Sequence, residues 1–298
     1  MPDYRRYLKP EVVSQLASID LVARLVVEGF ITGLHKSPYH GFSVEFAEHR
    51  QYMPGDPIKD IDWKAYGKSD RLYVKEYEEE TNLKAYILLD CSGSMGFSSE
   101  ASISKFDYAS YLAAALTYLM LGQKDAVGLA TFDTQIRRYI PPKSVRSHLS
   151  VILKELEALK VSDQTRIAVT FHELAERIAR RGLIIIISDL LDDPSEILMG
   201  LKHFRHKKHE VIVFQVLDPR ERDFAFGQEA KFVDLETQEE IITQPWHIQQ
   251  AYRAMMAEMT DTYHRGCRES QIDYVAMDTS QDFGTALLQY LAKRKRLG

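Results

Sequence analysis

Apolar residues follow two periodicities along this chain. Val12, Val13, Leu16, Ile19, Val22, Ala23, Val26 and Val27 recur at helical spacing, which predicts an amphipathic helix over residues 10–33 with Gly29 and Gly33 at its end. Residues 34–82 change character: Pro38, Gly41, Pro54, Gly55 and Pro57 punctuate short aromatic-rich pieces, which reads as loops and short extended segments. From residue 83 onward, short continuous apolar runs alternate with helical patterns. Ala85–Leu89, Ala126–Phe132, Leu183–Ile187, Val211–Leu217 and Ile272–Met277 read as strands, and Ile136–Ile140 can pair beside the second of them. Phe106–Leu121, Val145–Leu159, Ile167–Arg180, Pro194–Phe204, His247–Glu269 and Thr285–Arg294 read as helices.

Strands that are apolar on both faces and separated by helices imply a mostly parallel sheet covered on both sides. The predicted fold is therefore a doubly wound α/β domain over residues 83–298, with a β-ribbon insertion near 224–243. Residues 1–82 form an N-terminal helix plus an irregular, partly extended segment.

Composition narrows the function classes. Hydrophobic residues make up 45% of the chain, enough for a sizeable core. A net charge of -5 gives no basic footprint of the kind nucleic-acid binders carry. The basic runs Arg205–His209 and Lys293–Arg296 read as solvated helix ends, and the scattered histidines as surface residues. Two cysteines, Cys91 and Cys267, make no disulfide framework and point to a reducing compartment. Leu21–Phe30 is broken by Arg24 and Glu28, and no run approaches the ~18 apolar residues of a membrane span. A cytoplasmic protein is expected.

In an open α/β sheet, ligands bind beyond the C-terminal strand ends. Three polar clusters are expected there: Asp90-Cys91-Ser92-Gly93-Ser94, Ser162-Asp163-Gln164-Thr165, and Ser188-Asp189. Their chemistry suits a hard cation, because Mg²⁺ takes about six oxygens at roughly 2.1 Å and keeps some waters. Ser92 and Ser94 stand two apart on one tight loop, Gly93 lets it turn, and Thr165 adds a third hydroxyl. Asp90 and Asp189 supply charge, directly or through bound water. Mg²⁺ is the expected ion, with Mn²⁺ or Ca²⁺ as possible replacements.

The order Asp90-x-Ser92-x-Ser94, Thr165, Asp189 resembles the metal-ion-dependent adhesion site of von Willebrand factor A domains. A second set of motifs sharpens the match. Arg50-Gln51-Tyr52-Met53-Pro54-Gly55-Asp56, then Ile61-Asp62-Trp63, then Val74-Lys75 ahead of the metal loop are similar to the signature of the domain-of-unknown-function 58 family. Pro57 stands where that family usually has an acidic residue and Lys59 where it usually has arginine, so no role is carried over to either. The resemblance implies that the two serines and the threonine touch the ion and that the aspartates act largely through water. It also implies an open coordination position for a partner's carboxylate, and pairing with a MoxR-type AAA+ ATPase in an adaptor or chaperone-like role.

Two other classes compete. A metal beside Asp90 can support phosphoryl transfer through an aspartyl nucleophile, but that chemistry wants a second Asp where Ser92 stands. Alternatively the ion only holds the loop together. A binding module without catalysis is the preferred expectation.

Overall fold

The structure is a computed structural model; it describes residues 9–10, 18–35, 50–51, 73–74, 83–99, 103–161, 167–226, 230–233 and 240–297. Its centre is a six-stranded sheet. In chain order the strands are β3 (Lys84–Asp90), β4 (Ala126–Phe132), β5 (Ile136–Lys143), β6 (Leu183–Ser188), β7 (Glu210–Leu217) and β10 (Asp273–Asp278). Their order across the sheet is β10-β7-β6-β3-β4-β5. All neighbours run parallel except β5, which returns antiparallel to β4. The doubly wound expectation holds.

The chain leaves β3 toward β4 and β5, then returns to the other side of β3 as β6. β3 and β6 therefore flank the point where the strand order reverses, the place such sheets bind ligands. They pair from Ala85↔Leu183 to Leu89↔Ile187, so both strands end level with each other. The two acidic strand ends meet for this reason.

Alternate residues of the apolar strands feed two cores. Ala85, Ile87, Leu89, Ile185 and Phe214 face one, while Tyr86, Leu88, Ile184, Ile186 and Val213 face the other. The second core is covered by α4 (Ile167–Arg177), α5 (Pro194–His206) and α7 (Pro245–Glu269), with Phe171, Leu201, Phe204 and Tyr263 packed into it. The first core contains α2 (Lys105–Gly122), α3 (Ser147–Ala158) and α8 (Gly284–Leu297). α2 is apolar nearly all round because it is sandwiched. One side meets the sheet, and the other meets α1 (Ile19–His35), whose Val22, Ala23, Val26, Val27 and Phe30 join the same core.

β1 (Arg50–Gln51) and β2 (Tyr73–Val74) pair antiparallel, joining two of the signature segments. The Pro54-Gly55-Asp56 and Ile61-Asp62-Trp63 elements lie outside the described residues. The expected ribbon is present as β8 (Ala230–Val233) against β9 (Glu240–Thr243). α6 (Pro219–Asp223) follows β7 and is set by a capping box in which Asp218 and Glu221 serve each other's ends.

Two expectations about basic residues are corrected. Lys293 is buried, with its ammonium 2.9 Å from Glu210 and 3.1 Å from Asp273, rather than solvated at a helix end. His209 is also buried. Its Nδ1 accepts the N–H of Gly182 at 3.2 Å, and its Nε2 lies 3.1 Å from the carbonyl of Ile178. Only the neutral ring protonated at Nε2 satisfies both contacts, because a proton on Nδ1 would face another donor.

Burial accordingly holds the His209 pKa below its usual value. As pH falls below about 6.5, the unfolded chain takes up a proton that the fold refuses, so stability present above that pH is lost below it. His148 is pushed down by burial in the same direction. His209→Gln, whose amide can donate and accept, should therefore lose less thermal stability than wild type between about pH 7 and pH 5. Parallel melting curves for the two proteins across that range would contradict the assignment.

Candidate metal centre

Asp90 ends β3 and is fully buried. Its Oδ1 accepts the backbone N–H of Ser92 at 2.9 Å, which closes the turn into the loop. Its Oδ2 accepts the hydroxyl of Ser188 at 2.5 Å, which ties the end of β3 to the end of β6. The loop then winds into a short 3-10 turn over Gly93–Gly96, pinned from below by the buried side chain of Met95. Ser92 is buried and Ser94 half-buried, so the loop presents its second hydroxyl toward the surface.

The hydroxyl oxygens of Ser92 and Ser94 are 3.1 Å apart. Two adjacent ligands of an octahedral Mg²⁺ shell stand about 3 Å apart when each bond is roughly 2.1 Å. The pair therefore fits one edge of such a shell without rearrangement. Burial first, and then the charge of Asp189, push the Asp90 carboxyl up to about 7. Both effects disfavour the charged form of a buried carboxyl that has another carboxylate as its neighbour.

Asp189 follows β6 directly and is also buried. Its Oδ1 accepts the N–H of Leu191 at 3.3 Å, and its carbonyl accepts the Gln215 amide at 2.9 Å. Leu190 between them has φ of 55°, a left-handed conformation that costs a non-glycine residue about 1 kcal/mol or more. Three bonds hold it there: Leu190 N–H to Ser188 Oγ, Tyr263 hydroxyl to Leu190 carbonyl, and Leu191 N–H to Asp189. The acidic side chain is aimed by this turn.

Four of the five expected ligands thus come together: Asp90, Ser92 and Ser94 on one loop, Asp189 on the adjoining strand end. Thr165 lies outside the described residues, within 162–166. Among the described residues no three His, Cys, Asp or Glu side chains form a metal cage. The donor set is hydroxyls with two carboxylates, the chemistry of a hard, water-retaining cation rather than of zinc.

Ser188, expected in a cluster with Asp189, bridges the two strands as described. Two further residues, Lys105 and Glu221, belong to the centre and were not anticipated. Lys105, the first residue of α2, is completely buried with its ammonium 2.7 Å from Asp189 Oδ2 and 2.7 Å from Glu221 Oε1. Burial opposes the Lys105 charge, but Asp189 and Glu221 outweigh it and raise the pKa. Burial also raises the Glu221 carboxyl against the pull of Lys105. Lys105 stands far from both partners in sequence, so only the fold reveals the triad; Asp218-Pro219-Arg220-Glu221 reads merely as a helix start.

Other candidates sit elsewhere. The Cys91 thiol is buried, accepts no role in the centre, and is pushed well above its usual pKa by burial. Asp133 is engaged by Arg137 and by the N–H of Gln135. His203 meets His172 at 3.0 Å and Glu176 at 3.0 Å on the outer face of α4 and α5. Two clefts of about 600 and 360 Å³ flank β10, and neither is lined by Asp90, Ser92, Ser94 or Asp189.

Residues 48–264 match the family described as Protein of unknown function DUF58, and the chain belongs to that family. The uncharacterized protein Rv1480 of Mycobacterium tuberculosis is 25% identical over 294 residues, spanning 96% of this chain and 91% of that protein. The uncharacterized protein Mb1516 of Mycobacterium bovis matches to the same extent, at 25% over 294 residues. Among solved structures, BatB from Bacteroides thetaiotaomicron is similar at a TM-score of 0.46 and 19% identity, over 72% of this chain and 99% of that one. The SpRpn10 VWA domain is similar at a TM-score of 0.39 and 12% identity, over 70% of this chain and 94% of that one. No helix among the described residues is long and apolar enough to cross a membrane.

Proposed function

We propose that this DUF58 chain is a protein-binding module whose Asp90, Ser92, Ser94, Thr165 and Asp189 hold a Mg²⁺-class ion, with Mn²⁺ or Ca²⁺ able to replace it. The ion, when bound, supplies an electrophilic position for a carboxylate offered by a partner. The observation that carries this reading is the Ser92–Ser94 hydroxyl pair, 3.1 Å apart, on the loop that Asp90 closes, where the buried ends of β3 and β6 meet. Neutral hydroxyls leave most of a divalent ion's charge uncancelled, and the half-buried Ser94 sits where the loop reaches the surface. Each residue has a separate task. Ser188 and the Ser92 N–H aim Asp90, and the Leu190 turn aims Asp189.

The family resemblance supports a MoxR-type AAA+ ATPase as the partner, with this chain as the adaptor that presents a client to it. A glutamate or aspartate on either one is the group that would reach the ion. The test is capture of the same organism's MoxR-type ATPase by the immobilised full chain, with Mg²⁺ present and then with EDTA. The expected result is capture that EDTA abolishes and added Mn²⁺ restores. Capture that ignores the chelator removes the ion from the mechanism.

A second reading, phosphoryl transfer, gains one point from the lysine in the centre. It requires Asp90 to attack a phosphorus atom, yet that side chain is fully buried and both of its oxygens already accept hydrogen bonds. Each oxygen keeps a second lone pair, but a fully buried carboxylate presents neither to a substrate. The binding reading asks nothing of Asp90 beyond its present position.

A further inference from the structure

Lys105 stands where little favours it. The first turn of a helix repels cations, because the unpaired N–H groups there carry positive charge. A buried ammonium also loses its hydration, which is recovered only through close charged partners. Lys105 has two, Asp189 from the end of β6 and Glu221 from the start of α6, each at 2.7 Å. Either carboxylate alone would neutralise it. The second is surplus to holding the helix in place, and one of the two is an expected metal-site residue.

We propose that Lys105 is a tethered counter-cation of the metal centre: it shares Asp189 with the divalent ion and so keeps that ion loosely held and strongly positive. The inference rests on the metal-binding reading given above. Both Asp189 oxygens are engaged, Oδ1 by the Leu191 N–H and Oδ2 by Lys105. An ion that recruits Asp189 must draw Oδ2 from the ammonium or share it. Glu221 makes that exchange feasible, because Lys105 keeps a partner at 2.7 Å when Asp189 turns to the ion. Glu221 is itself fixed, since its other oxygen accepts the N–H of Asp218 at 3.1 Å. Asp218 in turn accepts both the N–H and the hydroxyl of Ser99 at 2.9 Å, which fastens the segment after the metal loop to α6.

Two consequences follow from charge. With Lys105 beside Asp189, the ion gains less from that carboxylate and is bound more weakly. The same ion keeps more of its charge and attracts an incoming carboxylate more strongly. Lys105 thus acts as a positioning residue that trades metal affinity for partner affinity.

The test uses the purified full chain and Mn²⁺ as probe, with free Mn²⁺ followed by electron paramagnetic resonance. Wild type is compared with Lys105→Met and with Lys105→Met/Glu221→Gln. The double variant removes one charge of each sign, so Glu221 is not left without its cation, while Asp189 keeps the Leu191 N–H and is released to the ion. Both variants are expected to bind Mn²⁺ about tenfold more tightly than wild type. Acetate added to the Mn²⁺-loaded proteins is expected to bind several-fold more weakly to the variants. Wild-type binding of Mn²⁺ with unchanged or weaker binding in the folded double variant overturns the role of Lys105 and leaves the metal reading standing. No Mn²⁺ binding by any of the three overturns both.

Discussion

Replacing Asp90 and Ser92 together with alanine should lower the affinity for Mg²⁺ or Mn²⁺ by about 100-fold or more, since single outer-shell changes already cost 10–100-fold at metal sites. The effect is read most simply as lost thermal protection. An ion at 100 times its dissociation constant stabilises the fold by about 2.7 kcal/mol, roughly 5 °C for a chain of this size. Wild type should gain that shift and the double variant should not. The variant should remain folded without metal. It leaves the Ser188 hydroxyl without an acceptor, a cost of about 1–3 kcal/mol, but it also deletes a buried carboxylate already opposed by burial and by Asp189. Equal metal-induced shifts in the two proteins would move the ion away from this loop.

Gly182→Ala should be the most damaging small substitution away from the centre, at about 3 kcal/mol. Gly182 immediately precedes β6, and a Cβ there would lie 2.2 Å from the backbone oxygen of Lys84 at the start of β3. No side chain can rotate away from that contact, because the obstacle is backbone. The β6 entry must shift instead, which also disturbs the Gly182 N–H bond to His209 and the Glu210 N–H bond to the Gly182 carbonyl. The far end of the same strand carries Ser188 and Asp189, so weakened metal binding should accompany the loss. Chemical denaturation measures the first effect and Mn²⁺ titration the second. A Gly182→Ala protein as stable as wild type would show that β3 and β6 do not approach so closely.

The strands and helices were legible because the sheet is covered on both faces. Leu183–Ile187 has to be apolar at every position, and such a run admits few other readings. α2 was legible for the related reason that α1 covers its outer side. The placement of Asp90 and Asp189 was legible too, since both end apolar runs on strands that prove to be neighbours. What the sequence concealed were pairings between charges distant in the chain. Lys105 follows Ser104 at a helix start, and nothing in the sequence singles it out until the fold brings Asp189 and Glu221 to it. Lys293 and His209 were misread, because a charged or polar residue in a basic run looks solvated when its buried partners, Asp273 and Glu210 for one and Gly182 and Ile178 for the other, lie elsewhere.

An ion held by this loop would keep a coordination position open to a partner's carboxylate. Water-proton relaxation with Mn²⁺ tests it directly, in wild type and in the Asp90→Ala/Ser92→Ala variant. Wild type should bind Mn²⁺ with exchangeable water on it, giving a relaxation enhancement that falls as acetate or a glutamate-bearing peptide displaces that water, and the variant should give none. An enhancement equal in both proteins, or one that carboxylates leave untouched, would contradict it.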